Sequence, residues 1–316
     1  MTFIATSESR PVPASPPRAG WSKLPPEYAI PATAPSLTES QAYCERLARS
    51  HYENFSVATW FLPERLRQHF YNVYAYCRIS DDLGDEVGDP AVSLLLLDQW
   101  QIELAACYAG TPRHPVFVAL ADTVRRFDVP QHEFSDLLTA FRQDQTVLRY
   151  ETFDDLLGYC QNSANPVGHL VLYLCGYRDA ERQKLSDFTC TALQLANFWQ
   201  DVSVDYAKGR IYLPLEDLRK FGVSESDLAD NRNTPAFCEM MRFEVERARD
   251  WFRQGLPLVS KVDKELAIDL DLFSRGGLEI LNAIENQGFA VLGRRPVISK
   301  PRKLALVARA ALGKLL

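Results

Sequence analysis

Two short segments of the sequence place carboxylates at helical spacing, and the first is YAYCRISDDLGDE at residues 74–86. Its four acidic residues follow an aromatic-rich apolar run, so they either coat a surface or reach into a pocket to hold a cation. On an α-helix, four of its residues share a stripe about 40° wide: Tyr74, Arg78, Asp81 and Asp85. Asp82 lies at the margin of this stripe, and Glu86 lies off it and is expected to be solvated.

The second segment, LQLANFWQDVSVDYAKGRIYLP at residues 193–214, repeats the same geometry. Its matching polar residues are Gln194, Asn197, Asp201 and Asp205. Both aspartate pairs fall in the later parts of long predicted helices, where the helix macrodipole disfavours acidic side chains. Helix capping therefore does not explain them.

Neighbouring carboxylates on an apolar helix face repel each other and are costly to bury unless they are neutralised. Oxygen-only clusters suit hard cations, and Mg²⁺ binds through one or two carboxylates together with substrate phosphate oxygens. A single acidic pair is more often a solvated face, but two matched pairs favour a Mg²⁺–diphosphate clamp for an apolar substrate. Arg78, Lys208 and Arg210 are the candidate phosphate contacts.

The elements that must position these residues are predicted to be helices almost throughout. Residues 1–36 are rich in proline and are predicted to be a disordered leader. Residues 37–316 are predicted to form one all-α domain, since alternating β-branched runs are nearly absent. After three earlier helices that end at Gly110, the predicted helices cover 114–128, 131–145, 152–176, 180–207, 234–254, 264–290 and 301–315.

Composition excludes several classes of function. The chain of 316 residues has a net charge of −6 and no long Lys/Arg cluster, which argues against nucleic acid as a partner. Its seven cysteines include no CxxC pair, which is typical of a reduced, cytoplasmic protein. Neither a signal peptide nor an apolar run long enough to span a bilayer is present.

Taken together, the two segments resemble the motifs of the squalene/phytoene synthase family. The first motif of the family, Y-A-x-C-R-x-x-D-D-x-x-D, matches Tyr74 to Asp85, and the second, Q-x-x-N-x-x-x-D-V-x-x-D followed by G-R-I-Y-L-P, matches Gln194 to Pro214. The similarity extends over about residues 50–289. It implies an all-α, isoprenoid-synthase-type helical bundle around a central cavity, and an enzyme that joins isoprenoid diphosphates head to head with Mg²⁺.

The resemblance also implies roles for single residues. The implied Mg²⁺ ligands are Asp81, Asp82, Asp85, Asn197, Asp201 and Asp205. The implied substrate contacts are His51, Asn54, Phe55, Tyr74, Arg78, Gln194, Asn197, Lys208, Arg210 and Tyr212. Tyr159 matches a tyrosine beside the cavity, and Asp144 and Gln145 match a polar pair on another cavity helix. Tyr159 is counted as catalytic together with Asp81, Asp85, Asp201 and Asp205.

Departures from the family pattern narrow the expected substrate. The family often has H-x-K-S-F where this chain has HYENF, so Glu53 replaces a phosphate-binding lysine. Gln200 replaces the arginine before the second D-V-x-x-D, and Gly277 stands where many members have a cavity tyrosine. Because two cationic side chains are missing, the resemblance favours a substrate with one diphosphate. The combination of HYENF and NFWQD resembles that of bacterial hydroxysqualene synthases in hopanoid biosynthesis.

The expected reaction is Mg²⁺-dependent conversion of presqualene diphosphate to hydroxysqualene, with water rather than a nicotinamide cofactor quenching the final cation. Tyr159 and Asn54 are candidates for positioning that water. The alternatives are squalene synthase, presqualene diphosphate synthase and phytoene or dehydrosqualene synthase. A non-catalytic assembly or interaction protein on the same fold is the alternative from another class. Peripheral membrane contact and association with other enzymes of the pathway stay open.

Overall fold

The fold is known from a computed structural model that describes residues 24–50 and 64–315. Within these ranges the chain forms thirteen α-helices, one isolated β-bridge and no strand. The helices are α1 Leu37–Ser50, α2 Glu64–Asp85, α3 Pro90–Ala109, α4 Pro115–Phe127, α5 Gln131–Gln143, α6 Phe153–Ser163, α7 Asn165–Leu174, α8 Ala180–Ala207, α9 Leu215–Phe221, α10 Glu225–Ala229, α11 Pro235–Gly255, α12 Lys264–Asn286 and α13 Lys300–Leu315. The predicted all-α class is confirmed.

One long predicted helix is in fact two. The segment 152–176 is interrupted at Ala164, where φ is −119°, and α7 begins with Pro166 in its first turn. Proline lacks the N–H that an uninterrupted helix would need and is favoured at a helix start instead. Two short helices that periodicity did not predict, α9 and α10, follow the GRIYLP segment.

The two acidic segments end the two helices that organise the molecule. α2 is 22 residues long and terminates at Asp85. α8 has 28 residues, starts at the N-cap Asp179, whose side chain accepts from the backbone N–H of Arg182, and carries Asp201 and Asp205 in its last two turns. Each helix is the centre of one buried apolar cluster, the first including Tyr76 and the second Trp199.

Between these clusters lies an apolar cavity of about 370 Å³. Its walls come from α2, α7, α8 and α12, and include Phe70, Cys77, Val171, Leu193 and Phe273. Few polar atoms face this space. The predicted central cavity is therefore present, and its lining suits a hydrocarbon.

The predicted boundary of the leader at residue 36 lies too late in the chain. Leu24 and Tyr28 are buried at 5% and 2% exposure and belong to the apolar cluster around α2. Tyr28 lies in a 3₁₀ turn, Pro26–Tyr28, and its hydroxyl donates to the Asp82 carboxylate at 2.7 Å. Proline content predicted disorder, but a buried aromatic ring and a buried hydrogen bond hold this part of the segment on the domain.

His169 of α7 links three helices through charge. Its Nδ1 lies 3.0 Å from Glu133 Oε2, and its Nε2 lies 2.7 Å from Asp187 Oδ1. Burial alone would lower the pKa of His169, but the hydrogen bonds to Asp187 and Glu133 outweigh it and raise the pKa to about 9. The imidazolium therefore stabilises the folded state fully below the unfolded pKa of about 6.5, and this stabilisation is lost as the pH rises through 9.

We expect the His169→Gln variant to unfold with a free energy lower by about 3 kcal/mol at pH 6, because Glu133 is buried and would lose its charged partner. Urea unfolding of both proteins between pH 6 and pH 9.5 measures this difference. It should narrow as the pH approaches and passes 9. A difference that stays constant over this range would contradict the assigned protonation of His169.

Candidate active site

The first acidic segment separates its aspartates by environment. Asp82 is buried and accepts hydrogen bonds from Arg78 Nε at 3.1 Å and from the Tyr28 hydroxyl. Asp81 keeps about half of its side chain exposed. Glu86 is exposed, as predicted. Asp82 is therefore already hydrogen-bonded to Arg78, whereas the carboxylate of Asp81 remains accessible to solvent.

Asp85 joins the first segment to the second. Its carboxylate accepts from Lys208 Nζ at 3.1 Å and from Arg210 Nη2 at 2.8 Å. Both cations come from the turn that ends α8, where Gly209 has φ +83° and the backbone N–H of Arg210 donates to Asp205 O at 2.9 Å. Glycine is favoured in this left-handed conformation, so the turn sends both basic side chains back toward α2.

The second segment is held by a residue that sequence reasoning missed. Arg295 lies in the loop after α12, and its guanidinium forms a bidentate pair with Asp201, with one N–O distance of 3.0 Å. The same guanidinium donates to Gln200 Oε1 at 3.0 Å, and Gln200 Nε2 donates to Pro296 O at 2.6 Å. No local pattern marks Arg295, because more than ninety residues separate it from Asp201.

The carboxylates within each acidic segment repel one another. Burial, and next the charge of Asp85, raise the pKa of Asp81 to about 6. Burial and the charge of Asp201 raise the pKa of Asp205 to about 7. For Asp85, burial acts upward as well, but the hydrogen bonds from Arg210 and Lys208 prevail and hold its pKa below the usual value.

This donor set fits a hard divalent cation. The side chains offer only carboxylate and amide oxygens, and a cation would relieve the repulsion that raises the pKa of Asp81 and Asp205. In residues 24–50 and 64–315, no three acidic, histidine or cysteine side chains converge closely enough to hold a metal as they stand. Asp82, Asp85 and Asp201 each form an ion pair with an arginine or lysine.

A buried carboxylate, Asp144, organises the side of the site next to Arg210. It accepts from the Tyr159 hydroxyl at 3.0 Å and from the Tyr212 hydroxyl at 3.5 Å, and burial raises its pKa to about 6. The Tyr212 ring stacks on Phe198 with centroids 3.9 Å apart. The structure thus brings two predicted site tyrosines together, and Asp144 positions both.

The apolar cavity begins about one helical turn from the acidic residues. Cys77 lines the cavity and precedes Asp81 by four residues, or about 6 Å along α2. Leu193 stands in the same relation to Asn197 on α8, where Gln194 is half-buried and Asn197 exposed. Tyr74 also lines the cavity. A ligand with a charged head and a long hydrocarbon tail would find a matching surface at each end.

Two glycines allow the helices around the cavity to approach closely. A Cβ on Gly168 would lie 2.2 Å from Ser186 Oγ, and a Cβ on Gly277 would lie 2.3 Å from Phe252 Cζ and 2.8 Å from Leu193 Cδ2. Gly277, which replaces a cavity tyrosine of the family pattern, is therefore a packing position with no room for a side chain. His51, Asn54 and Phe55, which were predicted to contact substrate, lie outside the described residues.

Comparison with known proteins agrees with this architecture. The sequence profile described as squalene/phytoene synthase matches residues 48–302. The chain belongs to the squalene/phytoene synthase family. Members of this family are enzymes that act on prenyl diphosphates and use divalent metal ions to ionise the diphosphate.

Among solved structures, squalene synthase HpnC from Alicyclobacillus acidocaldarius is similar with a TM-score of 0.77 and 44% identity over 85% of this chain and 98% of that chain. A dehydrosqualene synthase superposes with a TM-score of 0.79 at 28% identity, over 87% of this chain and 96% of that one. Phytoene synthase 3 of Zea mays is 32% identical over 86% of this chain, a region that spans 65% of the maize protein. The 15-cis-phytoene synthase of Synechococcus elongatus is 30% identical over 85% of this chain and 91% of its own length.

Proposed function

We propose that the protein converts presqualene diphosphate to hydroxysqualene with Mg²⁺. The 44% identity with squalene synthase HpnC across nearly the whole of that chain, against 32% and 28% for the phytoene and dehydrosqualene synthases above, supports the squalene branch of the family. The observation that carries the choice of hydroxysqualene within this branch is the combination of HYENF and NFWQD, which resembles that of bacterial hydroxysqualene synthases. The replacement of a phosphate-binding lysine of the family pattern by Glu53 supports a substrate with a single diphosphate.

In this proposal the carboxylates Asp81, Asp85, Asp201 and Asp205, with the amide of Asn197, hold Mg²⁺. When bound, the metal supplies Lewis-acid stabilisation of the leaving diphosphate. Asp82 contributes by fixing Arg78, to which it is already bonded. This refines the sequence-based prediction, in which Asp82 was itself a ligand.

Four cations lie around the carboxylates and bind the diphosphate oxygens in this proposal: Arg78, Lys208, Arg210 and Arg295. Three of them pair with Asp85 or Asp201 and so lie beside the carboxylates. The apolar cavity holds the hydrocarbon chains.

The chemistry breaks the carbon–oxygen bond to diphosphate, and the electron pair leaves with the diphosphate. The remaining cyclopropylcarbinyl cation rearranges to the 1–1′ linkage, and ring faces such as those of Phe70 and Tyr74 stabilise positive charge inside the cavity. The oxygen of water then adds to the allylic cation and loses a proton, which gives the alcohol.

The test is incubation of the purified protein with presqualene diphosphate and Mg²⁺, with and without NADPH, followed by product identification. Hydroxysqualene in both reactions is the expected result. If squalene formed, and only with NADPH, capture of the cation by water would be excluded and the protein would be a squalene synthase.

The second candidate is condensation of two prenyl diphosphates, and the phytoene synthases among the relatives favour it. Parallel reactions with farnesyl and geranylgeranyl diphosphate separate it from the first. If the protein turned over either of these substrates but not presqualene diphosphate, it would be an enzyme that condenses two prenyl diphosphates. A non-catalytic interaction protein would turn over none of them, but both acidic segments are intact.

A further inference from the structure

The most exposed large apolar side chains in the described part of the chain lie in one stretch near its end. They are Val297, Leu304 and Leu312, at 65%, 70% and 59% exposure, while every other exposed large hydrophobic there is at 45% or less. Burying such side chains is favourable. A single segment that presents all three therefore has the property of a contact surface.

The helix that carries two of them, α13, has a clear inner and outer face. Its inner face packs on α12, where Ala310 is buried and Arg302 Nη1 lies 3.1 Å from Glu279 Oε1. Leu304, Ala308 and Leu312 are spaced by four residues and share the outer face, and all three are exposed. The outer stripe is therefore not needed to hold α13 on the domain.

Charge distinguishes the same stretch from the rest of the molecule. Residues 294–316 contain seven lysines and arginines and no acidic residue, although the chain as a whole has a net charge of −6. On the helical wheel Lys300 lies about 40° and Lys303 about 100° from Leu304, both on the same side of the stripe. An apolar stripe bordered by basic side chains is the pattern of a helix that lies in the plane of a lipid surface.

We propose that α13 docks the protein on an anionic lipid membrane, with Leu304 and Leu312 inserted among the acyl chains and Lys300 and Lys303 at the lipid phosphates. A protein partner fits less well, because a stable interface buries about 800 Å² per side and the outer stripe, among the side chains that the structure describes, offers two leucines and small alanines. The basic flank also matches the negative surface potential of anionic lipids.

The experiment is flotation of the full chain with vesicles of phosphatidylcholine alone or mixed with phosphatidylglycerol, at low and high salt. We expect binding to the anionic vesicles that weakens with salt. Leu304→Ser with Leu312→Ser, and separately Lys300→Gln with Lys303→Gln, should each weaken binding by about tenfold or more. Ile102→Ser on α3 and Lys184→Gln on α8 are matched controls, because both side chains are exposed outside α13.

Unchanged binding in both double variants, or equal binding to neutral and anionic vesicles, would overturn the proposal. Size-exclusion chromatography provides a further outcome: a dimer that dissociates in the leucine variant would make this face an interface between copies of the chain. Circular dichroism checks that each variant keeps its helices. Turnover in detergent should be unchanged by the α13 substitutions, so failure of the membrane proposal can be distinguished from failure of the proposed reaction.

Discussion

Replacing Asp81 or Asp201 by asparagine is expected to lower turnover of the prenyl diphosphate substrate by about 10²–10³-fold or more, the size of effect seen when one electrostatic contact to a developing charge is removed. Asparagine keeps the shape of the side chain but removes the negative charge that a divalent cation requires. The measurement is release of diphosphate at saturating Mg²⁺, with helix content followed by circular dichroism.

Glu86→Gln is the matched control, since Glu86 lies in the same segment but is exposed and off the acidic stripe. It should retain the activity of the unmodified protein. Full activity of both the Asp81 and Asp201 variants would exclude the carboxylate clamp, whatever product the enzyme makes. Loss of activity with equal loss of helix content would instead indicate a role in folding.

The second large effect concerns Gly276 and Gly277, two adjacent glycines of α12. Replacing each by alanine is expected to change the free energy of unfolding in opposite directions. Within a helix, glycine to alanine stabilises by about 1 kcal/mol through helix propensity alone. A Cβ on Gly276 would meet nothing within 4 Å, so Gly276→Ala should show this gain. A Cβ on Gly277 would lie 2.3 Å from the buried Phe252 ring, and overpacking of this kind costs about 1–3 kcal/mol.

The net expectation is that Gly277→Ala unfolds at lower urea concentration than the unmodified protein and Gly276→Ala at higher concentration. Urea denaturation followed by circular dichroism gives both free energies of unfolding. Because Leu193 also touches Gly277 and lines the cavity, the Gly277 variant should lose affinity for the hydrocarbon substrate as well. Equal stability of the two variants would mean that α8, α11 and α12 can move apart at no cost.

Periodicity in the sequence was enough to predict most helices and the two acidic stripes. It succeeds there because a helix repeats every 3.6 residues, so the residues of one face can be identified without knowing their partners. It failed at Ala164, where Pro166 starts a new helix, and in the leader, where proline content concealed the buried Tyr28. Local composition does not report a contact made with a distant helix.

The acidic residues also show which features could be predicted from the sequence and which needed the tertiary structure. The types and spacing of Asp81, Asp85, Asp201 and Asp205 predicted a paired carboxylate site, and the motifs around them identified the family of this chain. Only the tertiary structure separated Asp82, which is buried against Tyr28 and Arg78, from Asp81, which is accessible. The ion pair between Arg295 and Asp201 was likewise found only in the tertiary structure. Hydrogen bonds and ion pairs depend on distance in space, and residues separated by ninety positions come within 3 Å only once the helices have packed.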